Sequence, residues 1–114
     1  MANSKISGSN KVYVTVDTDP GSGYFTDPIM VRHIKENVFF SVRETIQDES
    51  DPSVMNVLLQ FQCPGDIGWQ NYNNNAMALV AGDRFNIDDF GAGVLWRAGV
   101  IDYTSGALTF GFDW

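Results

Sequence analysis

The stretch that decides the fold runs from Val94 to Trp114 and reads VLWRAGVIDYTSGALTFGFDW. Alternate apolar residues occupy its first half, namely Val94, Trp96, Ala98 and Val100. Its last strand repeats the pattern with Leu108, Phe110, Phe112 and Trp114. A period of two is typical of a strand with one buried face. We therefore predict two adjacent antiparallel strands, joined through residues 102–106, that form one wall of a core.

The same alternation recurs upstream in shorter segments. Val12, Val14 and Val16 share one face, and a turn-forming run from Asp17 to Gly21 follows them. Residues 54–62 alternate as well, with Val57, Leu59 and Phe61 predicted inward and Leu58, Gln60 and Gln62 outward. Short extended pieces are expected at residues 28–32, 69–72, 76–80 and 84–87. Together these segments predict an all-β fold, a single antiparallel β-sandwich of immunoglobulin-like or jelly-roll-like type, over residues 11–114.

Residues 34–46 fit two patterns. Ile34, Val38, Val42 and Ile46 are four apart, as on one face of a helix. The run Val38-Phe39-Phe40-Ser41-Val42-Arg43 is β-branched and aromatic and alternates equally well. We predict a strand, because the neighbouring segments are strands and no N-cap residue of a convincing kind precedes this one.

The N-terminal segment differs from the rest of the chain. Residues 1–10 are small and polar and lack the apolar core of a secretory signal. They are predicted to form a flexible arm ahead of the sandwich domain.

Size and charge exclude several classes of function. The chain has 114 residues, 44% of them apolar, which is enough for one domain with its own core. Its formal charge is −7, from 14 acidic and 7 basic residues. An acidic domain without a cluster of Lys or Arg repels phosphate groups, so nucleic acid and anionic membrane surfaces are not expected partners. No apolar run has the length of a membrane span.

The sequence offers little for catalysis or metal binding. His33 and Cys63 are the single histidine and cysteine, and neither stands in a recognisable nucleophile motif. We interpret Cys63 as a half-buried thiol that packs like a small hydrophobe, in a protein made in a reducing cytoplasm. Asp17-x-Asp19-x-Gly21 resembles the start of a calcium loop but lacks its later ligands, so a hydrogen-bonded turn is preferred. No catalytic residue, cofactor or metal is predicted.

Aromatic residues provide the one candidate binding feature. Trp69 and Tyr72 flank Gln70-Asn71, and the amide-rich loop Asn73, Asn74 and Asn75 follows. Aromatic faces beside amides suit either sugar stacking or a protein contact. The competing interpretation, which we favour for Trp69, is that its ring fills the core. Arg97, set among apolar residues, is interpreted as a structural anchor that binds backbone carbonyls or a carboxylate such as Asp102.

The C-terminal half is similar to a group of small proteins of tailed bacteriophages. These close on a hairpin that reads aromatic-Arg-x-Gly-Val and then Asp-Tyr-Thr-Ser-Gly, matched here by Trp96-Arg97-Ala98-Gly99-Val100 and Asp102-Tyr103-Thr104-Ser105-Gly106. Upstream, Val57-Leu58-Leu59-Gln60-Phe61 followed by Gly68-Trp69 matches the order of their middle strand, turn and tryptophan. The resemblance covers residues 54–114 and leaves out the N-terminal segment and residues 47–52.

The resemblance implies a context on the virion. It predicts a non-enzymatic structural protein, made in the host cytoplasm and carried on the particle as a capsid decoration or cement protein. Its expected partners are the major capsid protein or other virion proteins, and further copies of itself in a homo-oligomer. The alternative is a carbohydrate- or receptor-binding module of the phage neck, tail or fibre that uses Trp69, Tyr72 and residues 73–75.

Overall fold

The computed structural model describes residues 3–21, 23–31, 38–45, 53–72, 81–87 and 93–114. The described residues form strands and turns and contain no helix. The strands are β1 (Ser4–Gly8), β2 (Lys11–Val16), β3 (Tyr24–Phe25), β4 (Ile29–Met30), β5 (Phe39–Glu44), β6 (Val54–Gln62), β7 (Gln70–Asn71), β8 (Arg84–Asn86), β9 (Leu95–Ser105) and β10 (Leu108–Asp113).

The strands form two antiparallel sheets that pack face to face. The first sheet has the order β1-β2-β10-β5-β8. The second has the order β3-β9-β6-β7, and β4 also pairs with β9. The predicted all-β sandwich is therefore confirmed. The strand interpretation of residues 34–46 is also right where the structure describes them, since β5 runs from Phe39 to Glu44; residues 34–37 and 46 lie outside the described residues, as do residues 76–80.

One core lies between the sheets, and the predicted alternation identifies its members. The first sheet contributes Val12, Val14, Val16, Val38, Phe40, Val42, Leu108, Phe110 and Phe112. The second contributes Ile29, Met55, Val57, Leu59, Trp96, Ala98 and Val100. Trp114 is half-buried and packs against this cluster. Burial of each large apolar side chain stabilises the fold by about 1.5–3 kcal/mol, so this core is the main stabilising element.

Leu58 shows that facing outward does not mean exposure. As predicted, it is not part of the core cluster, yet it is almost completely buried. Its register partner is Gly99, and the ring of Phe25 lies against that glycine on the outer face. Leu58 therefore lies next to the part of the outer face that the Phe25 ring covers.

The prediction that β9 and β10 pair with each other is wrong. β10 pairs with β2 and β5 in the first sheet, whereas β9 pairs with β3, β4 and β6 in the second. The chain crosses between the sheets at Gly106, whose φ of 92° is in the left-handed region. The Ser53 side chain stabilises this crossing, because its hydroxyl accepts a 2.8 Å hydrogen bond from the Ala107 amide. Two strands present apolar faces to one core whether they are neighbours or lie opposite, so alternation cannot distinguish the two arrangements.

The prediction of a flexible arm over residues 1–10 is wrong for Ser4–Gly8. These residues form β1, an edge strand that pairs with β2 from Ser4↔Thr15 to Gly8↔Lys11. A two-residue turn, Ser9-Asn10, joins the strands, and Asn10 adopts a φ of 69°, which Asn tolerates better than most residues. The Asn3 side chain extends the attachment by accepting a 2.8 Å hydrogen bond from the Asp17 amide. The polar composition of Ser4–Gly8 did not indicate a strand, because backbone hydrogen bonds to β2 hold this segment in place.

Tyr13 lies on the outer face of the first sheet, where it is almost buried. Its ring lies against Gly111, and its hydroxyl donates a hydrogen bond to Asp113. The Arg43 guanidinium lies 5.2 Å from the ring centroid. Burial, reinforced by the bond to the Asp113 carboxylate, raises the pKa of Tyr13 above its ordinary value. The neutral phenol is therefore the form that the folded protein stabilises.

Replacement of this phenol tests its contribution. Because the folded-state pKa is raised, the contribution of Tyr13 is present below about pH 10 and is lost as pH rises through the folded-state pKa. We expect Tyr13→Phe to lower the free energy of unfolding by about 1–2 kcal/mol at neutral pH. The difference from the wild type should shrink above about pH 10. Urea unfolding across this pH range measures both effects.

The control is Tyr24→Phe. The Tyr24 hydroxyl forms no hydrogen bond with a described residue, so its removal should have little effect on the free energy of unfolding at neutral pH. A stability difference between wild type and Tyr13→Phe that stays constant across the alkaline range would contradict the assignment.

Candidate functional site

The outer face of the second sheet carries a stack of three side chains. The Arg97 guanidinium on β9 lies 4.1 Å from the Phe25 ring centroid and 4.5 Å from the Trp69 ring centroid. Phe25 comes from β3, and Trp69 immediately precedes β7. A cation between two aromatic faces gains from both ring quadrupoles. We call Phe25, Arg97 and Trp69 the stacked face.

Amide side chains connect the stacked face across three strands. Arg97 Nε donates a 2.8 Å hydrogen bond to Gln60 Oε1, and Gln60 Nε2 donates another of 2.8 Å to Asn71 Oδ1. The three residues are register neighbours on β9, β6 and β7. Gln60 is therefore oriented from both sides, and it holds the guanidinium in the plane that stacking requires.

A glycine makes room for the Phe25 ring. A Cβ atom at residue 99 would collide with this ring and would lie 2.7 Å from the backbone oxygen of Tyr24. Gly99 pairs with Phe25 in the register of β9 and β3, so the ring folds over its own partner. Gly99 is thus a requirement of the stack, and the sequence motif Arg97-Ala98-Gly99 places the cation and this gap on the same face.

Arg97 acts as a structural anchor through partners other than those predicted. Its contacts are the two rings and Gln60, whereas the Asp102 carboxylate accepts a 3.2 Å hydrogen bond from Asn56 Nδ2. Burial lowers the pKa of Arg97 from its ordinary value, because the rings displace water from the guanidinium. The side chain is held by stacking and an amide.

Trp69 and Tyr72 do not form one patch. Trp69 lies on the outer face and is half-buried, so the preferred interpretation that its ring fills the core is wrong. The core tryptophan is Trp96, and the Tyr72 ring meets it edge to face with centroids 5.4 Å apart. Residues three apart in an extended segment point to opposite faces, which is why Trp69 and Tyr72 are separated although they were grouped together from the sequence. Asn73, Asn74 and Asn75 lie outside the described residues.

A hydrogen-bonded turn that precedes Trp69 in the chain exposes an isoleucine. The Cys63 amide donates a 2.8 Å hydrogen bond to Asp66 Oδ2, and the Asp66 amide donates one of 3.0 Å to the Cys63 carbonyl. Gly65 takes a φ of 91° in this turn. Ile67 follows it and is fully exposed, two residues before Trp69. We call Ile67 and the stacked face together the contact surface. Sequence reasoning missed Ile67, which lies in a turn outside the alternating pattern.

Among the described residues, the acidic and sulfur-containing side chains form no cluster of three or more that could hold a metal ion. In the acidic loop, Asp19 Oδ1 accepts a 2.9 Å hydrogen bond from the Gly21 amide, as expected of a turn. One Asp17 carboxylate oxygen is buried without a hydrogen-bond partner among the described residues. Cys63 is half-buried against the core, as predicted, and His33 lies outside the described residues.

Comparison with protein-family models, with curated proteins and with solved structures found no match to this chain. The described residues contain no helix with the length and hydropathy that a membrane span requires.

The two tryptophans on opposite faces of the second sheet should differ sharply on truncation. We expect Trp96→Ala to lower the free energy of unfolding by about 3–5 kcal/mol, because it leaves a cavity in the core. Trp69→Ala should cost about 1–2 kcal/mol, the value of a partly desolvated cation–aromatic contact. Urea unfolding followed by circular dichroism measures both without relying on the deleted fluorophore. Equal losses would show that Trp69 supports the core after all.

Gly99→Ala should break the stack selectively. The added methyl group must displace the Phe25 ring, which costs about 1–3 kcal/mol as overpacking does. Gly68→Ala is the matched control, because a Cβ atom there meets nothing within 4 Å; its effect should stay within about 0.5 kcal/mol. Thermal and urea unfolding of both variants make the comparison, and equal effects would contradict the role given to Gly99.

Proposed function

We propose that this protein is a non-enzymatic structural component of a tailed-bacteriophage virion, a capsid decoration or cement protein that binds assembled coat protein. The observation that carries the proposal is the contact surface, where a fully exposed Ile67 stands two residues before Trp69, which stacks with Arg97 and Phe25.

The chemistry of the contact surface is that of a protein interface. Tryptophan and arginine are enriched among the residues that dominate binding energy, and apolar side chains that enter a partner's pocket supply much of the rest. Arg97 and Gln60 are already ordered by their 2.8 Å hydrogen bond, so binding would lose little side-chain entropy there. Ile67 follows a turn that two backbone amides hold closed. A surface whose side chains are ordered before binding favours association with one specific protein partner.

The roles of the carboxylates favour a structural function over an enzymatic one. Asp66 closes the turn before Ile67, and Asp113 accepts the Tyr13 hydroxyl bond. Glu44 accepts a 2.6 Å bond from the Ser53 hydroxyl, beside the crossing between the sheets. These acids stabilise turns and strand ends, which is a different use from the paired acid and base carboxylates of hydrolases.

The virion setting of the proposal comes from the resemblance of residues 54–114 to small phage proteins. The net charge of −7 supports a protein partner over nucleic acid. A sandwich whose core is closed by two sheets suits a protein that must survive outside the cell on a particle.

Binding of a glycan or host receptor is the second candidate, and one observation favours it. Trp69 lies on an outer face next to Asn71, which gives a ring and an amide of the type that sugars contact. Titration of glycans against tryptophan fluorescence distinguishes the candidates. A saturable shift that Trp69→Ala abolishes would favour the glycan module over the cement protein.

The first experiment is quantitative mass spectrometry of purified virions that carry this protein. A copy number comparable to that of the major capsid protein supports a decoration role. A few copies per particle would place the protein in the neck, tail or fibres. Complete absence from virions would overturn the proposal.

Add-back to particles that lack the protein tests the contact surface directly. We expect Ile67→Ser to weaken binding about tenfold or more, as loss of an interface anchor does, with no loss of stability because the side chain is fully exposed. Val54→Ser is the matched control, since Val54 is also strongly exposed but lies at the start of β6, away from the turn. Sedimentation of particles with labelled protein measures the affinities, and equal binding by both variants would contradict this assignment.

A further inference from the structure

We propose that the outer edge of β1 pairs with β1 of a second copy, in antiparallel register about a two-fold axis at Ile6. The two five-stranded sheets would thereby join into one continuous sheet. This contact is separate from the contact surface and does not require the virion function proposed above.

The register of β1 and β2 determines which backbone groups face outward. Gly8 and Lys11 flank a two-residue turn, so this pair is hydrogen-bonded, and hydrogen-bonded pairs recur at every second position. Ile6↔Tyr13 and Ser4↔Thr15 are therefore hydrogen-bonded pairs as well. Lys5 and Ser7 lie between them and direct their backbone N–H and C=O groups away from β2. These four groups form the open edge of the first sheet.

The open edge is long and accessible. β1 has five residues, more than β3, β4, β7 or β8, the other strands at sheet edges in the described part of the chain. All five residues of β1 are exposed. An exposed strand edge is a template for another strand, and proteins that leave one open use it or block it with proline, charge or a bulge. Residues 4–8 contain no proline and pair with β2 in continuous register. Their one charged residue is Lys5, whose ammonium lies over the Tyr24 ring of the same chain.

The sequence of β1 is complementary to itself in one register. With Ile6 opposite Ile6 of the second copy, Lys5 stands opposite Ser7 of the second copy, and Ser7 opposite its Lys5. Lys5 and Ser7, whose backbone groups point away from β2, then form hydrogen-bonded pairs with the second copy. Each pair exchanges two backbone hydrogen bonds. The two Ile6 side chains, each 51% exposed in the single chain, meet in a non-hydrogen-bonded pair, where side chains approach most closely.

Charge also favours this register. The Ser7 hydroxyl donates a 2.7 Å hydrogen bond to Asp27 Oδ2, so a carboxylate lies beside Ser7. The two-fold axis brings Lys5 of the second copy across from this Ser7–Asp27 pair. The Lys5 ammonium of each chain lies 5.1 Å from the Tyr24 ring centroid and is therefore already held on the side that faces the second sheet. Each copy thus offers a cation where the other offers an anion, and the lysines do not oppose each other.

The edge strand is ordered before any pairing. Asn3 holds one end of β1 through bonds to the Asp17 amide and the Thr18 carbonyl, and the Ser9-Asn10 turn holds the other. Ordering entropy is therefore already lost in the single chain, which favours association through a short strand.

Cysteine cross-linking tests the register itself. In a Cys63→Ala background, Ile6→Cys places two thiols in the central non-hydrogen-bonded pair, at a separation that a disulfide can span. Ser4→Cys is the matched control, because residue 4 lies on the same face of the same strand but pairs with residue 8 of the second copy. We expect mild oxidation to yield a covalent dimer of Ile6→Cys and monomer of Ser4→Cys, read by non-reducing gel and intact mass. Equal cross-linking of both variants, or of neither, would overturn the proposal.

Sedimentation equilibrium of the whole protein provides the second test. The wild type should associate reversibly to a dimer at concentrations up to about 1 mM, because two short strands form a weak contact. Ile6→Lys opposes two charges at the axis and should weaken dimerisation about tenfold or more. Met30→Lys, a matched change at an equally exposed apolar residue on the edge strand β4, should leave it unchanged.

A monomeric wild type over the whole concentration range would overturn the proposal, as would a dimer that Ile6→Lys does not affect. The outcome is independent of particle binding. Ile67→Ser should dimerise normally, and Ile6→Lys should retain its affinity for a particle as a single chain. If a strand of the coat protein occupies the edge instead, Ile6→Lys will lose particle binding while the free protein is monomeric, and the proposal fails.

Discussion

The packing of β9 against β10 across the sandwich is the constraint on which the other features depend. Trp96, Ala98 and Val100 on one sheet and Leu108, Phe110 and Phe112 on the other enter a single core. Each of these strands is central in its sheet, so their side chains set the distance and register of the two layers. The crossing at Gly106 makes the arrangement possible, because it lets the chain leave one sheet and enter the other within two residues. The geometry of the two outer faces therefore follows from the packing of this core.

The outer faces of the two sheets are stabilised in different ways. On the first, Tyr13 lies against Gly111 and is held by Asp113. On the second, Arg97 stands between two rings and is oriented by Gln60. Both use a glycine as the space into which an aromatic ring folds, yet they produce different surfaces. The first is closed by its own hydrogen bonds, whereas the second includes Trp69, which stands two residues after the fully exposed Ile67.

The proposed contacts use two separate parts of the molecule. The contact surface belongs to the second sheet and the turn before β7, and the open edge belongs to the first sheet. Under the two proposals, one copy would bind a particle through the contact surface and another copy through the open edge. Under the proposed virion function, neighbouring copies on a particle would be held at high effective concentration, which favours an edge contact that is weak in solution.

Much of the fold could be predicted because alternation reports a single buried face. Val12, Val14 and Val16, together with the alternate residues of β9 and β10, identify most of the core directly. The stack could be predicted only in part. Arg97 and Trp69 were singled out separately from the sequence, but it was not predicted that they are in contact.

Only the tertiary structure shows which strands pair and which distant side chains are in contact. Alternation specifies which side chains face inward, but it is the same for strands that are neighbours and for strands on opposite sheets, so the partners of β10 could not be derived from it. Backbone hydrogen bonds have no signature in side-chain polarity, which is why the polar segment Ser4–Gly8 was not recognised as a strand. The stack of Phe25, Arg97 and Trp69 joins residues far apart in the chain. The sequence by itself determined an all-β chain with one core and identified most of its members. Only the tertiary structure decided which strands are neighbours, which tryptophan is buried and which edge stays open, because these depend on contacts between distant segments.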